Sequence, residues 1–116
     1  NAIQSHFESQ PLIKASLLQT IADTLADLGL PDQAVGPQGE ALMIRRQLLG
    51  DTHPDTLHSI RRSGTLEHHR GNLAEAERLC RECLEASRRT RGESDTESLF
   101  ALDDLASILA SQGRYT

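Results

Sequence analysis

Gly29, Gly71 and Gly113 stand 42 residues apart, twice over, and no other feature constrains the chain as much. Five further coincidences fall at the same shift: Gly50 on Gly92, Ala34 on Ala76, Glu40-x-Leu42 on Glu82-x-Leu84, Arg46 on Arg88, and Leu57 on Leu99. Self-similarity at such a period marks a solenoid, whose units stack because none can bury its apolar face alone. Each unit divides at its glycine into two elements joined by a turn.

Both elements read as helices. Thr52-x-x-Asp55 and Ser94-x-x-Glu97 have the form of helix starts, a capping hydroxyl followed three residues later by an acid. Pro54 suits a first helical turn, where its missing N–H costs nothing. Gly71 suits the left-handed position that closes a helix. The spacing predicts a first helix over about 11–28 with Ile13, Leu17, Ile21, Leu25 and Leu28 on one face. It predicts a helix over about 52–70, and another over 73–91 with Ala76, Leu79, Cys80, Cys83 and Leu84 as its stripe. The last runs over about 95–112 with Leu99, Leu102, Leu105, Ala106 and Leu109. Gly36-Pro37-x-Gly39 falls where a helix should continue, so that helix is expected to start at Pro37 or to break there. The expected organisation is a lead-in over 1–10 and a first repeat over 11–50, irregular at 36–39. A second repeat follows over 51–92, and 93–116 holds the first helix of a third. Ala22, Gly64 and Ala106 are expected to pack against Ala34 and Ala76, letting helix axes approach closely.

Composition agrees with an all-α chain. Aromatic residues are 3%, with no Trp, so the core must come from Leu, Ile and Ala. Val occurs once, leaving little strand material. A net charge of -5 argues against general nucleic-acid binding, which needs a basic surface. No apolar run approaches the roughly 18 residues of a membrane helix, and no leader is visible. A cytoplasmic protein is the expectation. Neither terminus looks natural, so the sequence is expected to be a piece of a longer protein.

One block is specific: Ala41-Leu42-x-Ile44-Arg45-Arg46-x-Leu48-Leu49-Gly50-Asp51-Thr52-His53-Pro54-Asp55-Thr56-Leu57. It resembles the 42-residue tetratricopeptide repeats of kinesin light chains and many bacterial proteins, and the likeness covers about residues 11–116. The opening, Phe7-x-x-Gln10-Pro11-Leu12-x-x-Ala15-x-Leu17-Leu18-x-Thr20-Ile21, is similar to the first repeat after the kinase domain in bacterial serine/threonine kinases with a repeat tail. No kinase element is present here. The chain departs from the family at Arg61, Arg62 and Ser63, where an Asn pair and a Leu are usual, and at Glu67, where a large apolar residue is usual.

The resemblance implies an all-α solenoid of helical hairpins, about two and a half repeats in a right-handed superhelix, and a role in protein–protein interaction without catalysis. It implies a concave groove lined by the first helix of each unit. Carried onto this chain, the groove positions are Ser16, Gln19, Asp23 and Asp27, then His58, Arg61, Thr65, His68 and His69, then Phe100, Asp103, Ser107 and Ser111. Helical geometry agrees for 58, 61, 65 and 68, which share a face turned from Leu57 and Ile60. A basic, imidazole-rich strip between acidic flanks would receive a peptide with an acidic centre; the plainer reading is a solvated helix face. The expected role is a scaffold or sensor arm of a larger bacterial protein. An alternative is self-association into a homodimer through exposed repeat ends, the C-terminal helix above all.

Other motifs read as structural. Cys80-x-x-Cys83 is mid-helix, and free Cys behaves as a small hydrophobe; a zinc site with His68 and His69 has little support, since zinc wants four ligands. No cofactor is implied. His53 reads as a helix-start residue rather than a base. No GxSxG, P-loop or HExxH pattern is present, so no catalytic residue is assigned. Arg88-Arg89-x-Arg91 complements a helix C-terminus.

Overall fold

A computed structural model describes residues 2–113, with side chains from residue 9 onward. Phe7 and residues 114–116 lie outside the described side chains. The described residues form five helices, α1 (Ala2–Asp27), α2 (Pro31–Leu49), α3 (Pro54–His69), α4 (Leu73–Arg91) and α5 (Thr96–Ser111), and no strand. Consecutive helices pack as antiparallel hairpins, and α3 also touches α1 and α5. The shortest dimension is 18 Å, the depth of two helix layers about 8–10 Å apart. One layer holds α1, α3 and α5; the other holds α2 and α4.

The repeated glycines make the same turn. Gly29, Gly71 and Gly113 have φ of 78°, 87° and 73°. Gly29 N–H donates to the Ala26 carbonyl at 3.0 Å while Leu30 N–H reaches back to Leu25 at 2.9 Å. Gly71 and Asn72 repeat this onto His68 and Glu67 at 3.0 and 2.9 Å. The pairing satisfies two carbonyls that a helix end leaves open, and it needs a residue tolerant of positive φ.

The helix starts differ from the expected ones by one residue. His53 caps α3, its Nδ1 accepting the Asp55 N–H at 3.0 Å. Asp95 caps α5, its carboxylate accepting the Glu97 N–H at 3.1 Å. Thr52 and Ser94 stand just outside. Each cap side chain is a good acceptor beside another good acceptor, so local chemistry alone left the register open.

Two prolines are absorbed rather than obeyed. Residues 2–10 are helical, so α1 runs through Pro11 instead of starting there. The expected break at 36–39 does not occur: α2 is continuous through Pro37. The Gln33 carbonyl that loses its partner lies on an exposed residue. Ala34, Gln38, Ala41 and Arg45 are meanwhile buried along one face of α2. Burial along the whole helix outweighs one lost hydrogen bond.

The core lies between α3, α4 and α5. Leu57, Ile60, Ala76, Leu79, Cys80, Cys83, Leu84, Ala101, Leu105 and Ile108 form it, so the expected α4 stripe is the buried one. Ala22, Ala34 and Leu66 form a second, smaller cluster. Gly64 lets α3 approach α4 closely, since a β-carbon there would sit 2.6 Å from Cys80 Sγ and 3.3 Å from the Ala76 carbonyl.

The outer helices correct the expected faces. In α1 the buried residues are Ala15, Gln19 and Ala22, whereas Ile13 and Leu17 are 58% and 61% exposed, and Ile21 and Leu28 are exposed with them. In α5 the buried residues are Ser98, Ala101, Leu105 and Ile108, while Leu99, Leu102 and Ala106 are exposed. In α1, Ala15 and Ala22 face the partner helix because small residues permit the closest approach; in α5, Leu105 and Ile108 are buried beside Ala101. The exposed aliphatics form rows on the two ends of the stack.

Gly64→Ala should cost about 1–3 kcal/mol through overpacking. Most of that should return in Gly64→Ala/Cys80→Ala, which vacates the clashing sulfur; urea midpoints of the single and double variants check the coupling. Gly71→Ala should cost about 1–2 kcal/mol for its left-handed backbone, with no rescue by any change on α4.

Candidate functional site

Helix α3 occupies the middle of the inner layer, and its side chains reach both neighbours. Arg62 Nε donates to Asp23 of α1 at 2.9 Å. Arg61 Nε donates to Glu97 at 2.8 Å and its Nη1 to Asp104 at 3.0 Å, both on α5. The Arg61 guanidinium lies 5.0 Å over the Phe100 ring, adding a cation–π contact. His58 Nδ1 lies 3.3 Å from Glu97, and His68 Nε2 shares a 2.8 Å hydrogen bond with Ser111. The His68 and His69 rings stack at 6.1 Å.

These pairs set the electrostatics of the inner face. Burial works to lower the Arg61 pKa, but hydrogen bonds and charge from Glu97 and Asp104 carry it above its ordinary value. Burial works to raise the Glu97 pKa, but hydrogen bonds from His58 and Arg61 hold it below the ordinary carboxylate value. Arg61 and Arg62 are thus neutralised in place, Arg62 by Asp23, one of the expected flanking acids, and Arg61 by Glu97 and Asp104, which lie outside the expected groove positions.

The expected groove residues divide by place and by exposure. Asp23, Thr65 and His69 converge with Arg62 around a small hollow between α1 and α3. Asp27, Phe100, Asp103, Ser107 and Ser111 are exposed, as is Ser16. Gln19 and Arg61, at 4% and 9% exposure, are interior residues instead. Gln19 turns to Gln38 of α2, and Arg61 to Glu97 and Asp104 of α5, which satisfies their buried polar atoms.

Sequence reading missed a buried polar node joining α1, α2 and α3. The Gln19 and Gln38 amides exchange hydrogen bonds at 2.9 and 3.0 Å. Ser59 Oγ donates to Gln19 Oε1 at 2.8 Å and accepts from Arg45 Nη1 at 2.8 Å. Thr56 Oγ1 donates to the Arg45 carbonyl at 3.2 Å. The repeat carried a signal for this: at the 42-residue shift, Gln38 falls on Cys80 and Ser59 on Ala101, both core positions.

A second concavity opens on the outer side, a cleft of about 350 Å³ between α2, α3 and α4 over Val35, Gly39, Leu42, Leu66 and Leu79. Its rim charges pair internally. Arg46 grips Glu82 through two hydrogen bonds of 2.8 and 3.0 Å, and Arg78 pairs with Glu75.

Cys80 and Cys83 are fully buried, and burial pushes both thiols up to about 12. Cys83 Sγ donates to the Leu57 carbonyl at 3.4 Å. Among the described residues, no three His, Cys, Asp or Glu side chains are grouped to hold a metal ion. No described helix is long and apolar enough to cross a membrane.

Stacked helical hairpins joined by repeated glycine turns, with every first helix in one layer, define a helical-repeat protein. The family pattern described as Tetratricopeptide repeat matches residues 15–55, and a second pattern of the same description matches residues 60–116. The chain belongs to the tetratricopeptide repeat family, and the 42-residue kinesin-light-chain-like type fits both matches. Repeats of this family generally mediate protein–protein interactions. No curated protein matches the chain.

Glu97 has a folded pKa below its unfolded one, so its stabilisation is present above the ordinary value of 4.5 and is lost as pH falls through the folded value. Glu97→Gln should cost about 1–3 kcal/mol at neutral pH and flatten the fall in stability below pH 4.5. Denaturant midpoints measured from pH 7 downward test both effects.

Proposed function

We propose that the inner layer, α1, α3 and α5, holds an extended peptide or a protein segment of a partner. In this reading the chain is a scaffold or sensor arm of a larger bacterial protein. The observation that carries it is the row of accessible side chains crossing three helices, polar but for one aromatic: Asp27 on α1, Thr65 and His69 on α3, and Phe100, Asp103 and Ser107 on α5. The ion pairs from Arg61 and Arg62 fix the spacing of those helices, so the surface is preorganised and little ordering entropy is lost on binding. Half-exposed Phe100, braced by Arg61, offers an aromatic anchor of the kind that dominates interface energetics. An acidic centre in the ligand would meet the imidazole of His69, since Arg61, Arg62 and His58 already face carboxylates.

Self-association is the second reading, favoured by the exposed rows Ile13, Leu17 and Ile21 on α1 and Leu99 and Leu102 on α5. Exposed apolar rows on solenoid ends favour contact with another hairpin.

Peptides selected from a random library should bind the chain. Thr65→Arg and Phe100→Ser should each weaken them about tenfold or more, while Arg81→Ala on the outer layer leaves affinity unchanged. Selected peptides insensitive to both inner-layer changes would refute the groove reading. Light scattering addresses the second reading: a concentration-dependent dimer should disappear in Leu99→Lys/Leu102→Lys, and a strictly monomeric parent chain excludes it.

A further inference from the structure

Two arginines are buried, Arg61 of α3 and Arg45 of α2, and they differ in one respect. Arg61, at 9% exposure, has two carboxylates. Arg45, at 7% exposure, has only neutral acceptors. Its Nη1 donates to Ser59 Oγ at 2.8 Å and to the Asp55 carbonyl at 3.3 Å, and its Nη2 donates to Ser16 Oγ at 3.4 Å. Among the described residues no carboxylate lies within 4.0 Å of it, the side chain of Asp55 included. A guanidinium has five N–H donors, and three are engaged here. Desolvating a cation without an anion is costly, so this corner retains an unsatisfied demand for negative charge.

Asp55 and Ser59 lie in the first two turns of α3. The longest of the three contacts is also the outermost, because Ser16 is exposed on α1. The exposed Ser16 hydroxyl thus stands 3.4 Å from Arg45 Nη2.

We propose that Ser16 and Arg45 form an oxyanion subsite at the α1 end of the inner face. A carboxylate or phosphoryl oxygen of the docked partner accepts from Arg45 Nη2 and from the Ser16 hydroxyl. The subsite rests on the groove reading above, and it moves the preference for an acidic ligand group away from the neutralised centre at Arg61. Charge-assisted hydrogen bonds of this kind are shorter and stronger than the neutral contacts they replace.

The test titrates the chain with inorganic phosphate and separately with N-acetylglutamate amide, following the Arg45 side-chain NMR signals. Sodium chloride at matched ionic strength and the neutral glutamine analogue serve as controls. Saturable shifts with phosphate alone assign a phosphoryl group, and with the glutamate compound alone an acidic side chain; either outcome supports the subsite. Arg45→Met should abolish the accompanying anion-dependent shifts of the Ser16 and Ser59 backbone amides, the neighbours of the guanidinium. Because that variant removes a buried hydrogen-bonding group and can unfold, Ser16→Glu is the companion: it supplies the carboxylate from within. Ser16→Glu should weaken anion binding about tenfold or more and melt several degrees above Ser16→Gln, which keeps binding. If neither anion moves the Arg45 signals beyond chloride, and Ser16→Glu is no more stable than Ser16→Gln, the subsite does not exist. Library peptides that still bind the inner face in that case would leave the groove reading intact.

Discussion

The structure depends on α3 being gripped from both sides by opposite chemistry. Toward α4 and α5 it packs through Leu57, Ile60 and Gly64, with Cys80 Sγ filling the space a β-carbon would take. Toward α1 and α2 it meets the Gln19–Gln38–Ser59–Arg45 node. An apolar interface is tolerant of small slides, whereas a hydrogen-bonded polar one is not, because a shift of one residue strands several buried donors. The first contact supplies burial; the second fixes register. Among the described residues, no buried side-chain nitrogen or oxygen is left without a partner, which keeps a hydrophilic interior compatible with folding.

This arrangement also decides what charge the inner face has to offer. The arginines that replace the usual residues in the middle unit do not project as free cations. Arg62 ties α3 to α1 through Asp23, and Arg61 ties it to α5 through Glu97 and Asp104. They act as struts between parallel-lying helices of one layer, where direct packing is sparse. Net attraction for an incoming anion is therefore weakest where the sequence is most basic. It is strongest where a single guanidinium sits among hydroxyls and a carbonyl.

The fold was largely legible because the 42-residue shift is a statement about whole hairpins and survives local ambiguity. The α4 stripe was legible because its polar and apolar residues segregate cleanly. The α1 stripe was misread for an instructive reason. The period of Ile13, Leu17 and Ile21 is right, but the close helix contact belongs to Ala15 and Ala22, and hydrophobicity alone does not say which face a neighbour needs. Pro37 was misjudged because a local penalty was weighed without the burial of Ala34, Gln38 and Ala41 around it. Of the site, the accessible placement of Thr65 followed from helical phase, and that of His69, Phe100 and Asp103 from the family resemblance. The inward turn of Gln19 and Arg61 did not, since their partners lie 19 and 36 residues away at Gln38 and Glu97. Those pairings exist only once the hairpins are stacked.

The two thiols of α4 give the molecule an internal clock for its own breathing. A sulfur fully enclosed at the α3–α4 contact, and protonated far above neutrality, is shielded from alkylating reagents while the hairpin stays closed. Labelling of Cys80 and Cys83 then proceeds only through moments when α3 lifts from α4. The rate at which iodoacetamide is consumed becomes a direct reading of how often this solenoid parts at its centre, with no probe added to it.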